Sequence, residues 1–284
     1  MRSSALVLGA AVLTVAVAPT LVCGQDLPLL PLRGTDQGVW PAFEGWYDNE
    51  DGTNVIYFGY YNRNTDQVID IPLGANNFIE PAEFDGDQPT HFETRRHWGV
   101  FGIRVPADYG AQNRIYWNLV IDGETYRVPG HMQADYKTDA LDGGASNNTP
   151  PVLTFGSAEG HGPLGVTAPE TLRTAAGEPV EVRVSAMDSG PAGRGGFGGR
   201  GGGRGGGGPR VTLAWFKHQG PGDVSFTEEQ GRVSSAGGEM TTMATFSEPG
   251  DYVLRVRATD SGVSGAGHAQ CCWTNGFVRV TVTR

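Results

Sequence analysis

The sequence predicts an all-β protein, two tandem antiparallel β-sandwich modules in one chain. Three observations predict it. Apolar residues alternate with polar ones at period two along several segments, as in Tyr252, Leu254, Val256, Ala258 and again in Val278, Val280, Val282. Glycine-containing turn pairs such as Asp51-Gly52 and Asp122-Gly123 separate runs rich in aromatic and β-branched residues. No stretch shows a sustained 3.6-residue apolar period, so helix is expected to be scarce.

The first residues read as an export signal: Arg2 supplies the positive start, an apolar run follows from Ala5 to Ala18, and small residues close it. Cleavage after Gly24 is expected, giving a 1–24 signal peptide and Gln25 as the new terminus. The alternative is a lipid anchor on Cys23, against which the bulky Val22 argues. No later stretch reaches the ~20 apolar residues of a spanning helix. The expectation is therefore an exported protein (periplasmic, cell-surface or extracellular) with no integral membrane segment once the signal is gone.

About 260 residues remain, enough for two modules with their own cores. From Gln25 to Asp142 nineteen acidic residues meet eight basic ones, a net of −11; from Gly143 onward twelve meet twelve. An acidic front module argues against nucleic acid or an anionic membrane as partner.

The first module is placed at 38–135. Phe43 to Tyr47 and Asn54 to Tyr61 form a hairpin about Asp51-Gly52, a pair suited to the positive φ of a tight turn. Further strands are expected at Gln67 to Ile71, His97 to Val105 and Arg114 to Ile121, the last turning through Asp122-Gly123 into Glu124 to Val128. Residues 136–165, with Gly143-Gly144 and Asn147-Asn148-Thr149-Pro150-Pro151, read as a linker in which only Val152 to Phe155 could join a sheet. The second module, 166–284, begins near Val166. It carries an insert, 189–209, with thirteen glycines and arginines at 194, 200 and 204. That composition reads as a disordered loop; lengthening a connection from ~5 to ~25 residues costs only about 1.4 kcal/mol of closure entropy.

From Pro179 to Thr283 the chain resembles the polycystic-kidney-disease-like and related immunoglobulin-like repeats of bacterial exported proteins. The resemblance is carried by Leu213-Ala214-Trp215, Gly220 to Phe226, Ala244-Thr245-Phe246, Pro249-Gly250-Asp251-Tyr252 and the closing Val-x-Val-x-Val strand. It implies an immunoglobulin-like second sandwich, with Trp215 as the core tryptophan of its third strand. It also implies that Tyr252 is the corner tyrosine whose hydroxyl bonds back to nearby backbone. The first module resembles a β repeat of bacterial surface and secreted proteins through Phe58 to Asn62, Ile71 to Gly74, Asn77-Phe78, Gln88 to Phe92, Val100-Phe101 and Trp117 to Leu119. Neither resemblance brings a catalytic residue set.

Enzyme signatures are absent: no nucleophile elbow, no His-Glu-x-x-His, no phosphate loop. The six histidines (91, 97, 131, 161, 218, 268) lack metal-motif spacing, and Asp48 to Gly52 reads as a turn rather than a calcium loop. No catalytic residue, cofactor or metal is expected. The reading is a non-catalytic protein of recognition, adhesion or scaffolding at the cell envelope or outside it, meeting a protein or glycan partner. One rival is a carbohydrate-binding accessory protein that stacks sugars on Trp40, Trp46, Tyr47 and Tyr60. Another is a metal or redox protein built on Cys271 and Cys272, with His268 as a further ligand for copper(I) or zinc.

Cys271 and Cys272 are the sharpest local signal. They are the only cysteines beyond the signal, and an oxidising compartment favours their pairing as a vicinal disulfide. With His268 and Trp273 they form a candidate binding loop, the tip from Ser261 to Gly276 between the two final strands. The alternative is that the thiols are buried against the sandwich or the first module.

Overall fold

In a computed structural model, residues 33–141, 148–188, 210–260 and 271–284 are described. The signal segment, the 189–209 insert and His268 lie outside them. Among the described residues regular structure is nineteen strands and two short 3-10 turns, Ala82–Phe84 and Ala134–Tyr136.

In the first module β1 (Val39–Asp48), β2 (Asn54–Asn62) and β6 (Arg95–Val105) form one antiparallel sheet. A second is made by β4 (Asn77–Glu80), β7 (Ile115–Ile121) and β8 (Glu124–Gly130), and a small ribbon by β3 (Ile69–Asp70) and β5 (His91–Phe92). Between the sheets Trp117 is fully buried, edge-on to Phe58 and Phe101, and its indole N–H donates to Asn77 Oδ1 at 3.0 Å. The Asp122-Gly123 turn places both residues at positive φ (52° and 81°), as a two-residue hairpin requires. The Asp51-Gly52 turn differs from that expectation. Only Gly52 has positive φ, and the loop spans Asn49 to Thr53, with the Asp51 carboxylate accepting from the Thr53 N–H at 3.0 Å. The side chain does the work that a second left-handed residue would have done.

The second module is the immunoglobulin-like sandwich. One sheet runs β10 (Ala158–Gly160), β9 (Val152–Phe155), β13 (Val180–Met187), β17 (Gly238–Phe246), β15 (Val224–Phe226). The other runs β11 (Val166–Thr167), β19 (Trp273–Thr283), β18 (Gly250–Thr259), β14 (Arg210–Gln219), β16 (Gln230–Ser234), with β12 (Leu172–Ala175) parallel to β19. Even-numbered residues of β13, β18 and β19 point into the shared core around Trp215, which is fully buried. Tyr252 donates its hydroxyl to Glu248 O at 2.8 Å and accepts from the Gly222 N–H at 3.0 Å.

The stretch 136–165, read as a linker, contributes β9 and β10 to the sandwich, since β9 pairs with the outer half of β13. The described residues form one compact unit. The reason lies in the outer face of β14, β18 and β19, which is covered by the first module.

A candidate site at the junction of the two modules

Three elements of the sandwich build one side of the junction. On β18 the odd residues Arg255 and Arg257 face outward, opposite the core-facing Leu254 and Val256. On β14 a bulge between Lys217 and Gln219 breaks the alternation, so consecutive Lys217 and His218 are both buried and both reach the first module. On β19 Trp273 and Asn275 lie on the face opposite Val278, Val280 and Val282.

Trp273 is 1% exposed and belongs to a cluster with Tyr47, Val55, Tyr57 and Ala140 of the first module. Its indole N–H donates to Gly99 O at 3.2 Å. Asn275 Nδ2 donates to the same carbonyl at 2.7 Å and to Pro163 O at 2.8 Å, while its Oδ1 accepts from Arg255 Nη1 at 3.1 Å. Every polar atom of that buried amide is therefore engaged.

Beside this anchor is a chain of charges. His91 Nδ1 meets Asp70 Oδ1 at 2.8 Å and its Nε2 meets Glu93 Oε1 at 3.2 Å. Burial works against the charged ring, but two carboxylates, one on each nitrogen, outweigh it and raise the His91 pKa. Lys217 Nζ, almost wholly buried, reaches Asp70 Oδ1 at 3.0 Å. Burial likewise opposes the Asp70 charge, yet hydrogen bonds from His91 and Lys217 hold its carboxyl below the usual range. A cavity of about 360 Å³ opens here, lined by His91, Glu93, Phe216, Lys217, Asp223 and Glu229 among others.

Two further histidines behave oppositely. His97 is pushed down to about 4 and His218 to about 3, first by burial and then by the nearby Arg255 charge. His97 Nε2 lies 3.2 Å from Thr94 O, and His218 Nε2 lies 2.9 Å from Asp87 O. Both rings are thus neutral with the Nε2 proton on a carbonyl. Arg255 is drawn down to about 9 by burial and by Arg257, and stays charged at neutral pH. Deeper in the first module, burial lifts Glu44 to about 7 even though Arg96 Nη2 donates to it at 2.6 Å.

The structure places the sequence candidates differently from an exposed loop tip. Cys271 and Cys272 are buried, their sulfurs adjacent as in a vicinal disulfide across a cis peptide, and both sulfurs face Asn148 O. Trp273 is inside the junction because the first module offers it an apolar seat, and His268 lies outside the described residues. Among the described residues no group of three or more His, Cys, Asp or Glu side chains is arranged to hold a metal ion. Of the four rings proposed for sugar stacking, Trp46, Tyr47 and Tyr60 are buried, and Trp40 alone is exposed, with Arg63 over its ring at 5.0 Å. Asp70, His91, Glu93, Lys217 and Arg255 were not legible as a group. The one sequence signal was β19, where Trp273 and Phe277 put aromatic residues on the outer face of a strand whose inner face carries Val278, Val280 and Val282.

No helix of the described residues is long and apolar enough to cross a membrane. No family model and no curated protein matches the chain. Among solved structures the chain is similar to SSP-19, an MSP-domain protein like family member in Caenorhabditis elegans, with TM-score 0.23 and 12% identity over 40% of this chain and 94% of that one. It is also similar to domains 4 and 5 of the S-layer protein SbsC, with TM-score 0.25 and 11% identity over 61% of this chain and 66% of that one. The D00-D0 domain of Intimin gives TM-score 0.27 and 10% identity over 86% of this chain and 100% of that one. Superpositions this loose carry no functional argument; the all-β, immunoglobulin-like fold rests on the strand pairings above.

Proposed function

We propose that the chain is an exported, non-catalytic protein of recognition or scaffolding, acting at the cell envelope or outside the cell as one rigid two-module unit. The supporting observation is the division of labour between the two outer faces of the sandwich. The face of β14, β18 and β19 is spent on the first module. The opposite face, on β13 and β17, stays solvated and presents Glu181, Arg183, Glu239 and Thr241. Arg183 lies between Glu181 at 2.7 Å and Glu239 at 3.6 Å, so the display is polar and ordered. A protein or glycan partner suits such a surface.

The test combines cell fractionation with binding of the purified protein to isolated envelope and to a glycan array. Export together with saturable binding that weakens in an Arg183→Glu variant supports the reading. A cytoplasmic location overturns it. Sugar binding that depends on Trp40 would favour the carbohydrate-binding alternative.

A further inference from the structure

β13 is an inner strand for only part of its length. On one side it pairs with β17 from Val180 to Ala186, while on the other β9 reaches only Ser185, Ala186 and Met187. β9 stops there because Gly156, at φ 58°, turns the chain back into β10 after Phe155. Among the described residues no strand continues along Val180 to Val184 on that side. Backbone groups in an antiparallel sheet point alternately to the two neighbours, so every second N–H and C=O of this stretch faces an open edge.

The open edge lines a cavity. A space of about 340 Å³ touches Glu181, Val182 and Arg183 in succession. Successive side chains of a strand point to opposite faces, so a cavity that meets all three runs along the rim of the strand. Its apolar lining comes from Phe155, Leu172 and Val278. Its polar lip is the chain Glu181, Arg183, Glu239, whose charges are paired with one another. Glu170, exposed, adds a further carboxylate. Three carboxylates to one guanidinium turn away an acidic segment. A neutral strand laid over the lip, by contrast, covers no charge that lacks a partner there.

We propose that this edge takes up an extended, uncharged segment of a protein partner, added to the sheet as a strand beside β13 and in line with β9. The proposal rests on the recognition reading above and names how that face binds. Main-chain hydrogen bonds to the open side of Val180 to Val184 hold the segment. Its side chains alternate, one set entering the apolar lining and the other lying over Glu181 and Arg183. β-Branched apolar residues alternating with small hydroxyl-bearing ones meet both requirements.

The probe is a capped peptide of about seven residues alternating valine and threonine, added to the full chain. Hydrogen exchange followed by NMR should show alternate amides of Val180 to Val184 exchanging freely in the protein alone. Saturating peptide should slow them by about tenfold or more. The same peptide N-methylated on its central amides, or with glutamate in place of threonine, should bind at least about tenfold more weakly. Arg183→Glu, which leaves Glu181 and Glu239 unpaired beneath the segment, should weaken binding several-fold. Equal binding of the N-methylated peptide, no saturable binding of the parent, or amides already protected in the protein alone, as a second copy on the edge would make them, overturns the proposal. Envelope binding that persists without competition from the peptide leaves the recognition reading standing and removes only this mode of it.

Discussion

Gly99 and Trp273 are fitted to one another across the junction. The Gly99 carbonyl accepts the indole N–H at 3.2 Å, and a Cβ at position 99 would stand 2.1 Å from Trp273 Cζ2. Gly99 also has φ +45°, a region that side-chain-bearing residues rarely enter. Two separate constraints therefore require glycine at one position of the first module, and one of them is imposed by the second.

Gly99→Ala should cost at least about 2–3 kcal/mol through overpacking and backbone strain. Chemical unfolding followed by tryptophan fluorescence reads it. A loss below about 0.5 kcal/mol would show that the junction is looser than described.

Trp273→Ala should cost roughly 3–5 kcal/mol, the range for a buried aromatic. Because the ring sits in a cluster of first-module residues, the variant should unfold at lower denaturant by probes in both modules. An effect confined to second-module probes would contradict the shared core.

Tyr252→Phe removes a hydroxyl that bonds Glu248 O at 2.8 Å and the Gly222 N–H at 3.0 Å. The expected cost is about 1–2 kcal/mol, with the junction intact. Hydrogen exchange should quicken at Gly222 and leave the Asn275 side-chain amide protected.

The pH dependence has two opposed limbs. His218 and His97 have folded pKa values depressed to about 3 and about 4. Their contribution is full above the unfolded value of ~6.5 and is lost as pH falls, by about 3 kcal/mol for His218 near pH 4. Glu44 is raised to about 7, so its contribution is full below ~4.5 and is lost as pH rises through 7. His91, also raised, adds to that second limb. Stability should peak between the limbs; His218→Gln should flatten the acid side and Glu44→Gln the neutral side. Denaturant titrations across the range decide it, and unchanged slopes in both variants would refute the assignment.

Much of the fold could be read from period two alone. Leu254, Val256 and Ala258, or Val278, Val280 and Val282, identify their inner face without any knowledge of what covers the outer one. That second question is where sequence reading stops. Arg255 and Arg257 occupy polar, outward positions that normally mean solvent, and only the approach of the first module buries them. Lys217 and His218 were hidden for another reason, since the bulge that buries both of them against the first module leaves no periodic trace. Asp70 and His91 come from two-residue strands, too short to show a pattern at all, and Glu93 from the turn that follows one of them. The Cys271 and Cys272 pair drew attention by its rarity, yet its burial depends on Asn148, far away in the chain.

β19 follows every other described strand in the chain, and it serves both modules: Trp273 and Asn275 at its start, the valine row at its end. During synthesis or threading the first module emerges about 130 residues before the tryptophan that fills its Tyr47, Val55 and Tyr57 seat. At the usual pace of elongation that seat stays open for roughly 7–26 s, an apolar patch exposed in a nascent chain. Early strands must therefore remain soluble while unfinished.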